Sequence, residues 1–259
     1  MGREENVKIF EDTQRTYKAN PELKEAVRTS IRQQVMIPDG AEIVTWLEEQ
    51  KKVSFGQGEE EQEKGEQGKE EQRNEEQGKG EQGNEEQGKK EHEKAKKAEV
   101  VVSNKRTLQA ASAYKGKQVA VLNFASATNP GGGVTKGSSA QEEALCRCST
   151  LYPCLRTSEL WNTFYQKHRD KQDAKYNDDL IYTPGVIAFK SDTNNPQTMK
   201  EKDWYSVNVI TCAAPNLREK PSNAMNPQAG AAAVRISDQE LLELHIKRGR
   251  RIFETAKQT

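Results

Sequence analysis

Long apolar runs are missing from this 259-residue chain. Nothing in it approaches the roughly 20 consecutive apolar residues that a membrane-spanning helix requires. Met1–Phe10 lacks the hydrophobic stretch of a signal peptide. Met1-Gly2 opens as an acylation site would, but Asn6 stands where Ser or Thr is wanted. Net charge is also missing: 40 basic and 40 acidic residues cancel to +0. Composition therefore gives no electrostatic footprint for DNA or RNA. Cysteine and histidine are sparse, at four and three. Cys146-x-Cys148 fits no standard zinc spacing, and Cys154 and Cys212 do not complete one. Neither a metal nor a cofactor is expected. The cysteines read as reduced thiols in a soluble cytoplasmic or nuclear protein.

A further absence is local. Between Gly56 and Ala98 there is no Leu, Ile, Val, Met, Phe, Tyr or Trp, which accounts for much of the mean hydropathy of −1.00. Asn74–Lys79 recurs as Asn84–Lys89, but the repeat has no apolar face to stack, so a solenoid is excluded. Its glycines cost roughly 1 kcal/mol each in a helix. The segment reads as a disordered insertion in a surface loop, and a charged tether is the other reading.

The remaining sequence alternates between helical and strand patterns. Asn20-Pro21 is a capped helix start, followed by Leu23, Val27, Ile31 and Val35 every four residues. Ile43–Leu47 fits a short strand and a helical turn equally. Val100–Val102 and Val119–Phe124 read as strands, with Thr107–Lys115 helical between them. Helices are expected from about Gln141 to Leu151 and over Ser158–His168, and strands over Tyr182–Phe189 and Val207–Ala214. Ser237-Asp238-Gln239-Glu240 is a capping box that opens a helix with Leu241, Leu242, Leu244 and Phe253 as its apolar residues. Alternating strands and helices predict an α/β domain around a mostly parallel sheet.

The segment that points to chemistry is Asn129 to Glu143. The strand ending at Phe124 runs into Gly131-Gly132-Gly133, then seven residues, then Gln141-Glu142-Glu143. In open α/β sheets ligands sit beyond the carboxyl ends of strands. Consecutive glycines let backbone N–H groups approach a phosphate closely. The spacing matches neither dinucleotide-binding nor P-loop fingerprints. Glu142 and Glu143 are either ordinary first-turn acids favoured by the helix dipole, or an acid/base with a neighbour that binds ligand hydroxyls. Adjacent helical positions leave the axis about 100° apart, which argues against a standard glycosidase pair flanking one bond. Acid work at neutral pH needs a raised pKa, which burial and a like-charged neighbour supply.

LNFASATNPGGG followed by AQEEALCRCSTLY resembles the microbial-type poly(ADP-ribose) glycohydrolase (PARG) catalytic domain, whose signature is a glycine triplet, six to eight residues and Gln-Glu-Glu. The resemblance implies a macrodomain-like three-layer α/β/α fold with a mixed, mostly parallel sheet, and hydrolysis of ribose–ribose bonds to release ADP-ribose. By the matched positions Glu143 would be the acid/base and Glu142 would hold ribose hydroxyls. Gln141 would order the helix start, while Asn129 and Gly131–Gly133 would line ribose and diphosphate. Tyr182 would stack on adenine or ribose, or else pack in the core. Asn216, in a loop after a strand, is a further binding candidate. Arg147 could pair with Glu143, form a surface ion pair or reach a phosphate. His168 and His245 read as packing or surface residues.

The implied partners are poly(ADP-ribose) or ADP-ribosylated proteins, with no direct nucleic-acid or membrane binding. The expected organisation is an N-terminal helical part (1–55), the insertion (56–98) and a catalytic core (99–259). Members of the family usually continue into another strand and a second glycine-rich loop, so the fold is expected to be cut short at the C-terminus. A non-catalytic ADP-ribose reader, an inactive homologue and an interaction protein acting through the charged insertion are the alternatives.

Overall fold

The structure, a computed structural model, describes residues 2–50, 98–218 and 236–258. The expected insertion at 56–98 lies almost wholly outside the described residues. Met1–Ser54 and Lys105–Thr259 form one compact unit, and Phe55–Asn104 form a second.

The first unit is a four-stranded sheet of order β1-β3-β4-β2, made of β1 (Val35–Ile37), β2 (Ala120–Ala125), β3 (Leu180–Ala188) and β4 (Tyr205–Ala213). β2 and β4 are parallel, while β1–β3 and β3–β4 are antiparallel. The α/β class and the mixed sheet are as expected, but parallel pairs are the minority. The reason is the connection. A parallel pair needs a long crossover, usually a helix, and between β3 and β4 the chain makes only a short excursion with one 3-10 turn, Glu201–Asp203. β3 changes register between Thr183 and Val186. Pro184 has no N–H to donate there, and Gly185 takes φ +68° with its N–H on Asn208 Oδ1.

Strand side chains alternate between faces, and the two faces have separate cores. Ile181, Val207, Val209 and Val121 meet the helices α1 (Arg3–Ala19), α4 (Thr107–Ala111), α5 (Gln141–Cys148) and α6 (Leu151–Leu155), whose buried side chains include Phe10, Leu108, Leu145 and Tyr152. Leu180, Ile210 and Cys212 form the second core with Ile43 and Leu47 of α3 (43–50), and Ile252 and Ala256 of the last helix pack against it. This is the three-layer α/β/α arrangement.

Several expected elements change. α2 (Pro21–Arg32) starts as read, with Asn20 Oδ1 accepting from the Leu23 N–H at 3.0 Å. The helix stops at Arg32, however, so Val35 opens β1 instead of continuing its stripe. Val100–Val102 form no strand and lie exposed, because valines make a strand only with a neighbour to pair with. The helix expected to reach Leu151 breaks at Ser149, whose hydroxyl turns back to the Leu145 carbonyl. α7 runs over Ser158–Leu160, widens into a π turn at Trp161–Tyr165 and resumes over Gln166–Lys171.

α8 (Asp238–Gln258) begins at Ser237, whose Oγ accepts from the Glu240 N–H. Its expected apolar face is turned outward at Leu242 and Phe253, while Arg248, Arg251 and Thr255 are buried. Guanidinium groups dock this helix. Arg248 reaches Asp178 and the Ala213 carbonyl, and Arg251 reaches the carbonyls of Ala41 and Pro38.

Candidate active site

The parallel β2–β4 pair puts the carboxyl ends of both strands at one edge of the sheet, with Ala125 opposite Ala213. The glycine loop leaves β2 at that edge, and α5 returns over it. Gln141, the first residue of α5, fixes this return. Its Nε2 donates to the Leu122 carbonyl at 2.6 Å, and its Oε1 accepts from the Phe124 N–H at 2.9 Å. The side-chain amide thus pairs with the open edge of β2 as a neighbouring strand would.

Glu142 and Glu143 follow, and both are buried. Glu142 Oε2 accepts from the Ser126 N–H at 2.7 Å, and Glu143 Oε1 accepts from the Gly133 N–H at 2.8 Å. Each keeps its other oxygen, Oε1 of Glu142 and Oε2 of Glu143, without a protein hydrogen bond. The two side chains leave the helix in different directions, yet both close on Gly132. A Cβ there would lie 2.5 Å from Glu143 Oε1 and 3.1 Å from Glu142 Oε2. Gly131 and Gly132 adopt φ +69° and +59°, the left-handed region that glycine enters freely. A Cβ at Gly131 would run into the Tyr152 ring, and one at Gly133 into Ser138.

The glycines therefore serve the carboxylates directly. The Gly132 N–H bonds the Asn129 carbonyl at 2.9 Å, and the Gly133 N–H is taken by Glu143. In this conformation the Gly132 and Gly133 amides are engaged within the protein.

Burial pushes the Glu142 carboxyl up to about 8, and the Glu143 charge adds to it; hydrogen bonds from Ser126, Asn123 and Gly131 pull the other way. At neutral pH Glu142 is therefore mostly protonated. Asn123 was not singled out from the sequence. It is fully buried in β2, donates to Thr211 Oγ1 and favours the ionised form of Glu142. The signal available was an asparagine inside the apolar strand AVLNFA.

Arg169 was missed too. Its Nε donates to the Thr128 carbonyl and its Nη2 to Asn129 Oδ1, each at 2.7 Å, and its guanidinium lies 4.5 Å from the centre of the Trp161 ring. This holds Asn129 at the entry to the triplet.

Asn129, Gly131–Gly133, Gln141, Glu142 and Glu143 are thus brought together. Tyr182 is not: it sits within β3, paired with Val35 and Ile210, and packs against the second core on the face opposite α5. Alternation along β3 decides this, since its neighbour Ile181 takes the α5 face. Asn216 follows β4 at the same sheet edge as the glycine loop, with its N–H on the Ala174 carbonyl. Arg147 is buried and donates to the Ser138 carbonyl at 2.6 Å, without an ion pair to Glu143. His168 packs in the core between the Phe164 carbonyl and Asn177. All four thiols are free and buried, and burial drives their pKa values up, Cys148, Cys154 and Cys212 to about 12. Among the described residues no His/Cys/Asp/Glu cluster could hold a metal, and no helix is long and apolar enough to cross a membrane.

The family model described as microbial-type PARG, catalytic domain, matches residues 46–191. Among solved structures, poly(ADP-ribose) glycohydrolase from Thermomonospora curvata is 35% identical, with a TM-score of 0.49, over 59% of this chain and 50% of that one. The Deinococcus radiodurans enzyme, solved in complex with ADP-ribose, is 36% identical, with a TM-score of 0.46, over 58% of this chain and 55% of that one. This chain thus spans about half the length of the solved proteins it matches. No curated protein matches it.

Proposed function

The chain belongs to the microbial-type PARG catalytic-domain family, and from that premise we propose that it hydrolyses the ribose–ribose O-glycosidic bonds of poly(ADP-ribose), with Glu143 as general acid/base. The observation that carries the proposal is the convergence of two buried carboxylates on Gly132, each with one oxygen free of protein partners. The Thermomonospora protein has also been solved with the inhibitor ADP-HPD, and the Deinococcus protein with ADP-ribose.

In the proposed reaction Glu143, protonated in the complex with the polymer, gives that proton to the departing ribose 2′ oxygen as the anomeric C–O bond breaks. An oxocarbenium-like sugar forms. Glu143, now a carboxylate, takes a proton from water, and the resulting hydroxide adds to the anomeric carbon, releasing ADP-ribose. Glu142, held protonated by burial, donates a hydrogen bond to a ribose hydroxyl. Asn129 and the triplet line the ribose and diphosphate. The partners are the polymer or the proteins that carry it.

A second reading, favoured by the Glu142 pKa of about 8, makes Glu142 the proton donor. Two variants assayed for ADP-ribose release from the polymer separate the readings. Glu143→Gln is expected to lose release by ~10³-fold, with ADP-ribose affinity within about tenfold of wild type. Glu142→Gln, which keeps a neutral hydrogen-bonding group, is expected to stay within about tenfold of wild-type release. The reverse pattern supports the second reading. A wild-type chain that binds ADP-ribose in calorimetry but cuts no polymer is a non-catalytic reader, and one that does neither removes both.

A further inference from the structure

α5 also borders a cavity. Its residues Ala144, Arg147 and Cys148 wall a space of about 250 Å³, lined on other sides by Asn6, Arg106 and the 192–196 turn, with Arg147 one helical turn beyond Glu143. The walls are polar. Two guanidinium groups and one carboxylate, Asp192, face the same space, so the cavity carries a net positive charge.

Arg147 is the unusual member. It is only 4% exposed, yet its Nη1 donates to a neutral carbonyl, that of Ser138, at 2.6 Å. Among the described residues no carboxylate lies within ion-pair distance of it. Buried charges are ordinarily paired, and a guanidinium cannot escape by losing its proton. Burial holds its pKa below the usual value and the charge of Arg106 adds to this, while Cys148, Glu143 and Cys146 pull the other way. Arg106, half exposed at the rim, contacts Asn194 Oδ1 and lies 3.8 Å from Asp192 Oδ1. Asp192 is occupied on its other oxygen, which accepts the Leu108 N–H at 3.0 Å. One carboxylate, 3.8 Å from Arg106 and beyond hydrogen-bonding range, does not neutralise two cations.

We propose that this cavity is a binding site for a small phosphate-type anion, no larger than pyrophosphate, held between Arg106 and Arg147. Guanidinium forks suit phosphate oxygens in pairs. The volume lies below the range of pockets that enclose nucleotide-sized ligands, which limits the ligand to the anion itself. The inference is independent of the proposed glycohydrolase activity.

The test is titration calorimetry of the full chain with inorganic pyrophosphate at low ionic strength. Saturable binding is expected, weakened by at least about tenfold in Arg106→Gln. Asp192→Asn, which keeps an acceptor for Leu108 but removes the opposing charge, is expected to bind several-fold more tightly. A purely structural role for Asp192 would not strengthen binding, so this variant keeps the proposal testable even if Arg106→Gln folds poorly. Absence of saturation up to ~10 mM, too weak for two guanidinium contacts, overturns the proposal. So does equal affinity in Arg106→Gln, or weaker binding in Asp192→Asn.

Discussion

Glu142 concentrates the chemistry of single residues. Its neighbour and its burial both favour the neutral acid, so its folded pKa of about 8 stands above its ordinary 4.5. The unfolded chain then releases this proton at lower pH than the native chain does. Its contribution to stability is therefore fully present below about 4.5 and is lost as pH rises toward about 8. Glu142→Gln removes the titration. Urea denaturation should show the variant gaining on wild type between pH 5 and pH 8 by a few kcal/mol at most, at about 1.4 kcal/mol per pKa unit. A difference independent of pH would mean that the carboxyl is not held neutral. Gly132 belongs to the same scale, since only a residue without Cβ lets both glutamates approach the turn so closely.

At the scale of elements, α5 is positioned by polar contacts at both ends of its approach. Gln141 pairs with the β2 edge, and α1 closes over the loop, with Asn6 Nδ2 on the Gly137 carbonyl and Thr13 Oγ1 on the Arg147 carbonyl at 2.6 Å. α1 was not read from the sequence because its buried face mixes Ile9 and Phe10 with Asn6 and Thr13, which blurs the apolar stripe. Gln141→Leu keeps most of the volume but leaves the Leu122 carbonyl and the Phe124 N–H without the side-chain amide. Chemical denaturation should register a loss of about 1–2 kcal/mol. Polymer release should fall through kcat more than KM if α5 orients the reacting carboxylate. An unchanged kcat would limit Gln141 to stability.

For the whole molecule, the C-terminal helix joins the second core through charge. Arg248 and Asp178 are both 5% exposed at the side chain and meet at 2.8 Å. Although burial pushes Asp178 up, hydrogen bonds from Lys247 and Arg248 hold it below its usual value. Stability from this group is thus present above about 4 and is lost as pH falls through the folded pKa. Arg248→Leu removes one of the two cations on Asp178, leaving Lys247 at 2.7 Å, and takes the donor from the Ala213 carbonyl. A loss of about 1.5–3 kcal/mol is expected, read as a lower urea midpoint with helical signal lost early in the transition. A midpoint within about 0.5 kcal/mol of wild type would mean that α8 is held by its apolar contacts alone.

The sequence by itself determined the α/β class, the Asn20 and Ser237 caps and the chemistry-bearing stretch Asn129–Glu143. Those features are local: a cap, a strand period and a glycine triplet act within a few residues. Strand direction, the loss of the Val100–Val102 strand and the outward turn of Leu242 and Phe253 were decided by the tertiary structure, because each depends on which distant element is available to pair with. The same holds at the site. Which oxygen each glutamate gives to a backbone N–H, why Gly132 has no room for a side chain, and how Asn123 and Arg169 brace the loop follow only once β2, α5 and α7 are packed together. Burial then sets the Glu142 pKa, and burial is a property of the folded chain.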